Sequence, residues 1–172
     1  MKKNYALFLI LFFISTISFG QKKEKKTPDT YTFKETLLQS LAENDESLFL
    51  TLTPTKSDID TALKYIEDGA DRALNSADSI ALSIRDHASD NFKALYKSGA
   101  INKIDWTMIS EDSTGTELKK RKEINFPSLR FKFYFTHLGE HFCLSTSQLI
   151  YINNRWILFN NVRLKKMEEA GE

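Results

Sequence analysis

From Tyr31 to Gly99 the apolar residues recur at helical spacing, and from Ile101 to Leu164 they alternate with polar ones. The helical half divides into three. Phe33, Leu37, Leu38 and Leu41 share one face of a first helix, started by a capping box in Thr32-Phe33-Lys34-Glu35 and ending near Asn44. After the short apolar piece Leu48-Phe49-Leu50, Pro54 stops the chain. Thr55 then caps a second helix with the stripe Ile59, Leu63 and Ile66, closed by Gly69. A third, long helix over 70–97 aligns Ala73, Ala77, Ile80, Ile84, Ala88 and Leu95, with Gly99 as its stop.

The alternating half predicts about four antiparallel strands. Lys103 to Ser110 is the first, carrying Ile104, Trp106 and Met108 on one side, and Asp112 to Gly115 is a turn. Leu129 to Thr136 and Glu140 to Ile152 follow, and Arg155 to Leu164 returns from a two-residue Asn153-Asn154 turn. The fold class is therefore α+β, with N-terminal helices packed on a curved antiparallel sheet.

Taking His137-Leu138-Gly139 as a three-residue loop pairs Phe135 with His141, and the Asn-Asn turn pairs Tyr151 with Trp156. Propagating both registers puts Phe131, Phe133, Phe135, His141, Cys143, Ser145, Ser147, Leu149, Tyr151, Trp156, Leu158 and Val162 on an inner face. Large rings then lie beside small neighbours. The outer face receives Arg130, Lys132, Tyr134 and Arg163 around an apolar centre of Phe142, Leu144, Ile150, Ile157 and Phe159. Such a centre calls for a cover, from another element or from a second copy of the chain.

The chain ends are different in kind. Lys2-Lys3, the apolar run Ala6 to Ile14 and the small residues Ser18 and Gly20 read as a secretory signal peptide over 1–20, cleaved before Gln21. An uncleaved anchor is the alternative, but Ser15, Thr16 and Ser18 interrupt the run short of a spanning length. The stretch 21–30 is charged, contains Pro28 and no large apolar residue, and reads as a disordered tether. One domain over 31–165 and a polar tail over 166–172 complete the division. The expected location is periplasmic or extracellular, with no membrane span once the signal is gone.

Composition narrows the function classes. Of 172 residues three are Pro, six Gly and one Cys, which excludes a collagenous, low-complexity or disulfide-framed chain. Loss of Lys2 and Lys3 with the signal turns the formal charge from +1 to −1. Neither value argues for nucleic acid. The cluster Lys119-Lys120-Arg121-Lys122 is bracketed by Glu117 and Glu123 and reads as a solvated edge.

No stretch matches a catalytic motif. His137 and His141 flank a turn without the further ligands a metal needs, so neither metal nor cofactor is expected. Cys143, in a strand, reads as a small buried apolar residue. His87 and Asn91 lie on or beside the long helix's apolar stripe, where a buried polar group needs a partner.

Helices followed by antiparallel strands, closing in the hairpin Tyr151-Ile152-Asn153-Asn154-Arg155-Trp156-Ile157-Leu158-Phe159, resemble the NTF2-like (cystatin-like α+β) superfamily over about Thr32 to Leu164. The resemblance implies a cone of helices and curved sheet whose pocket binds a small molecule, carries out chemistry or is filled. Three functional expectations follow. The first is a non-enzymatic module binding a small apolar ligand or a protein partner, its site drawn from His141, Ser145, Ser147 and Tyr151 with Phe133 and Trp156. The second is a homodimer formed through Phe142, Leu144, Ile150, Ile157 and Phe159. The third is an enzyme using His141 with a carboxylate from a helix or from Asp105.

Overall fold

A computed structural model of the chain describes residues 28–64, 76–118 and 126–168. The signal segment, most of the charged tether, Gly69 and the basic cluster 119–122 lie outside the described residues. Within them the chain forms α1 (Tyr31–Ala42), α2 (Glu46–Leu50), α3 (Lys56–Lys64) and α4 (Ala77–Ile101), then β1 (Ser110–Leu118), β2 (Ser128–His137), β3 (Glu140–Ile152), β4 (Arg155–Leu158) and β5 (Val162–Lys166). The expected α+β class is what the molecule adopts. The sheet is antiparallel in the order β1-β2-β3-β4, and β5 pairs with the other half of β3. β4 and β5 thus divide the single returning strand that the sequence predicts, with Phe159 to Asn161 as the break. Asn91 of α4 holds this broken edge: its amide nitrogen donates to the Val162 carbonyl at 2.9 Å, and its amide oxygen accepts the Val162 N–H at 2.8 Å. This is the partner the polar residue in the stripe required.

Helix starts follow local capping chemistry. At α3, the Thr55 hydroxyl accepts the Asp58 N–H at 3.3 Å while the Asp58 carboxylate accepts the Thr55 N–H at 2.8 Å, a reciprocal box. At α1 the expected box at Thr32 is replaced. The helix begins at Tyr31, whose N–H is taken by the Asp29 carboxylate at 3.0 Å. At α4, Ser76 caps the Ser79 N–H.

The first predicted strand is not a strand. Lys103 turns out of α4 with φ +55°, and the Asp105 carboxylate accepts both the N–H and the hydroxyl of Thr107, closing a tight turn. Ile104 and Trp106 are buried from this loop, whereas Met108 is 68% exposed. Spacing by two thus came from a turn. The segment over Asp112 to Gly115, read as a turn, is the body of β1, with a bulge between Glu111 and Ser113. Gly99 does not stop α4 either, since the helix runs two residues further. Its hydrogen side chain admits the Trp106 indole: a Cβ there would lie 2.7 Å from Trp106 Cζ2.

The β2–β3 turn has two residues, not three. Leu138 and Gly139 both have positive φ (+49° and +79°), the signature of a type I′ turn, and His137 pairs with Glu140. Phe135 therefore faces Phe142, and Phe133 faces Leu144. A bulge in β3 between Thr146 and Leu149 then adds one residue and reverses the alternation. Its consequence is that Phe142, Leu144, Thr146, Leu149 and Tyr151 all point inward, although the three before the bulge are even-numbered and the two after it odd. His141, Cys143 and Ser145 point outward, which corrects the inner-face reading of these three.

The main core fills the space between the helices and the inner sheet face. Phe131, Phe133, Phe135, Phe142 and Leu144 meet Phe33, Leu37 and Leu41 of α1, Phe49 of α2 and Phe92 and Leu95 of α4. The Phe33 and Phe131 rings meet edge to face at 5.3 Å. A second, smaller core of Ile150, Ile152 and Ile157 on the outer face is covered by Ala62 of α3 with Phe126 and Phe159.

Candidate functional site

The β3–β4 hairpin is tied to the helices by one cation. The Arg155 guanidinium donates to the Thr51 carbonyl at 2.6 Å, to the Thr53 carbonyl at 3.2 Å and to the Asp58 carboxylate. Asp58 is 2% exposed and also accepts the Asn153 side-chain amide at 2.8 Å. Burial works to raise its carboxyl, but the Thr55 backbone and hydroxyl groups, Arg155 and Asn153 outweigh it and hold Asp58 below the usual carboxylate range. The Asn153-Asn154 turn that this clamp secures is the expected one, with φ of +49° and +62°.

On one side of Arg155 the hairpin and the start of α1 enclose a cleft of about 490 Å³. Tyr151 and Trp156 form one wall, with rings edge to face at 5.2 Å, while Phe33 and Leu52 reach it from the core side. Thr32, Thr36 and Asn154 supply polar groups at the mouth. The Trp156 indole N–H donates to the Asp29 carbonyl at 2.9 Å, so Pro28 and Asp29 are drawn against the domain as a further wall. The volume falls within the range of small-molecule sites. A larger depression of about 790 Å³ on the other side of Arg155 is more open and is rimmed by Lys56, Asp78 and Arg85.

Of the six ligand-site residues read from sequence, Tyr151 and Trp156 meet in this cleft. Phe133 is fully buried in the core behind it. His141 and Ser145 are on the opposite face of the sheet, and Ser147 is exposed at the β3 bulge. The sequence reading missed Asp29, Thr32 and Leu52, which come from segments far from the hairpin, and Arg155 within it. Only the Arg-Trp step after the turn pointed this way. The five residues read as an outer interface are instead held inside the chain. Phe142 and Leu144 lie in the main core, Ile150 and Ile157 in the second, and Phe159 packs against the latter.

His141 does find a carboxylate, though neither from a helix nor from Asp105. Its Nδ1 lies 2.8 Å from the Thr136 hydroxyl and 3.4 Å from the Asp112 carboxylate, while the Thr136 hydroxyl itself contacts Asp112 at 2.9 Å. In a nucleophilic triad the two imidazole nitrogens serve different partners. Here a single nitrogen faces both, so the cluster does not form that relay. His137, by contrast, is buried at the inner end of β2, where its Nε2 faces the Asp105 N–H at 3.4 Å. The two histidines occupy opposite faces of the sheet. Among the described residues no three side chains of metal-ligating type come together, and no helix is long and apolar enough to cross a membrane.

Cys143 is buried, and burial pushes its thiol up, against the pull of Lys132 and Lys165 on either side. His87 is exposed beside a small hollow of about 140 Å³ between α4 and the β4–β5 break. No family model matches this chain, and neither does any curated protein or solved structure.

Proposed function

We propose that the protein is an exported, non-enzymatic binding module of NTF2-like type that takes a small, largely apolar molecule in the cleft between α1 and the β3–β4 hairpin. The observation that carries this reading is the Tyr151–Trp156 ring pair lining a 490 Å³ cleft whose flanking cation is already spent. Arg155 is neutralised by Asp58 and engaged by two carbonyls, so the cleft holds no free charge of that sign for an anion. An uncharged ligand with an apolar ring suits such a lining, the hydroxyls of Thr32 and Thr36 serving its edge. The space between the helices and the inner sheet face is packed with the molecule's own phenylalanines, which favours this side entrance over a central pocket. The NTF2-like reading rests on element order and on the closing hairpin, and the export reading on Lys2 to Gly20.

The test is fluorescence titration of the purified protein with the neutral probe N-phenyl-1-naphthylamine. Saturable binding is expected, weakened by about tenfold on Tyr151→Ala through loss of ring contact, a change of about 1.4 kcal/mol. Absence of saturable binding, or equal binding by the variant, contradicts the reading.

A further inference from the structure

Among the described residues no helix lies over one half of the outer sheet face, and that half is basic. α3 covers Ile150 and Ile157, leaving the outward residues of β1, β2, β5 and the first half of β3. The registers set Lys132, Ser145 and Arg163 in one cross-strand row and Ser113, Tyr134, Cys143 and Lys165 in the next. With strands about 4.8 Å apart, the stems of Lys132 and Arg163 are about 10 Å apart and those of Arg163 and Lys165 about 7 Å. Among the described residues Lys132, Arg163 and Lys165 have no carboxylate in ion-pair reach. The acids at the rim are engaged, Glu117 by Arg130 at 3.4 Å and Asp112 by the Thr136 hydroxyl. A chain close to neutral overall has thus gathered unpaired cations on one open face.

Tyr134 stands among them. A Cβ at Gly115 would lie 3.9 Å from Tyr134 Cε2, so the ring comes within van der Waals reach of this cross-strand glycine and meets no larger side chain there. The face therefore combines cations about one sugar unit or two apart, a half-buried aromatic ring beside a glycine, and the hydroxyls of Ser113 and Ser145. We propose that it is a docking surface for an acidic polysaccharide, with carboxylates on Lys132, Arg163 and Lys165 and a sugar ring on Tyr134. Among the described residues none of the exposed large apolar side chains lies on this face, so the described face offers no side chain for insertion into a bilayer. The exported location proposed above favours a polysaccharide over nucleic acid; the cleft plays no part.

Binding of polygalacturonate to the purified protein tests this by titration calorimetry at low salt and at about 0.5 M NaCl. Saturable, salt-sensitive binding is expected. The triple variant Lys132→Gln, Arg163→Gln, Lys165→Gln, with an unchanged circular dichroism spectrum, should bind about tenfold or more weakly. Tyr134→Ala should lose affinity by about threefold or more at both salt concentrations. No binding by the parent, or equal affinity in either variant, overturns the proposal. So does tighter binding of single-stranded oligonucleotides or of phosphatidylglycerol vesicles at the same salt.

Discussion

Two residues carry structural demands that their types alone do not announce. Gly99 sits inside α4, where alanine would ordinarily gain about 1 kcal/mol of helix propensity. The Trp106 indole against it reverses the sign. Gly99→Ala should lower stability by about 1–2 kcal/mol in denaturant unfolding, because the ring that must move is packed against Phe135 at 5.8 Å. Asp58 is the second. Its folded carboxyl is held below the unfolded value, so its contribution is present above about pH 4 and lost as pH falls through the lower, folded value. Asp58→Asn should therefore cost about 1–3 kcal/mol at neutral pH and flatten the acid limb of the stability profile. A parallel shift of the two pH curves would contradict this assignment.

At the scale of elements, what was legible was what depends on local periodicity. The α1 and α4 stripes, the Asn153-Asn154 turn and the long runs of β2 and β3 appear where their patterns lie. Failures came where a rule of period two met an irregular residue. Leu138 is a poor advertisement for a left-handed turn position, so the tighter I′ turn was hidden and β3 was slipped by one. The bulge near Ser147 then cancelled the slip, so that Leu149 and Tyr151 face inward as the unbulged, slipped register also had them. That is why the cleft wall was found while His141, Cys143 and Ser145 were put on the wrong side. The same turn offers a prediction. Leu138 is 81% exposed and contributes little packing, so Leu138→Asn should stabilise the protein by about 0.5–1 kcal/mol, measured as a rise in unfolding midpoint. β1 was lost for a different reason: Ser110 to Leu118 is nearly all exposed, and an edge strand without a buried face leaves no apolar alternation to read.

For the molecule as a whole, the α1 start, the α2–α3 loop and the closing hairpin converge on Arg155. That convergence brings Tyr151 and Trp156 against Pro28, Asp29 and Thr32, which are about 120 residues away in the chain. No short motif could have announced it. The two tryptophans separate the alternatives cleanly, since Trp156 walls the cleft while Trp106 is buried at the far side of the core against Gly99. The most direct measurement is therefore proton–nitrogen NMR of the two indole N–H signals during titration with N-phenyl-1-naphthylamine. The account predicts a saturable shift of the Trp156 signal, as its bond to the Asp29 carbonyl is perturbed, with the Trp106 signal unmoved. A shift confined to Trp106, or no shift of either at saturating probe, would contradict it.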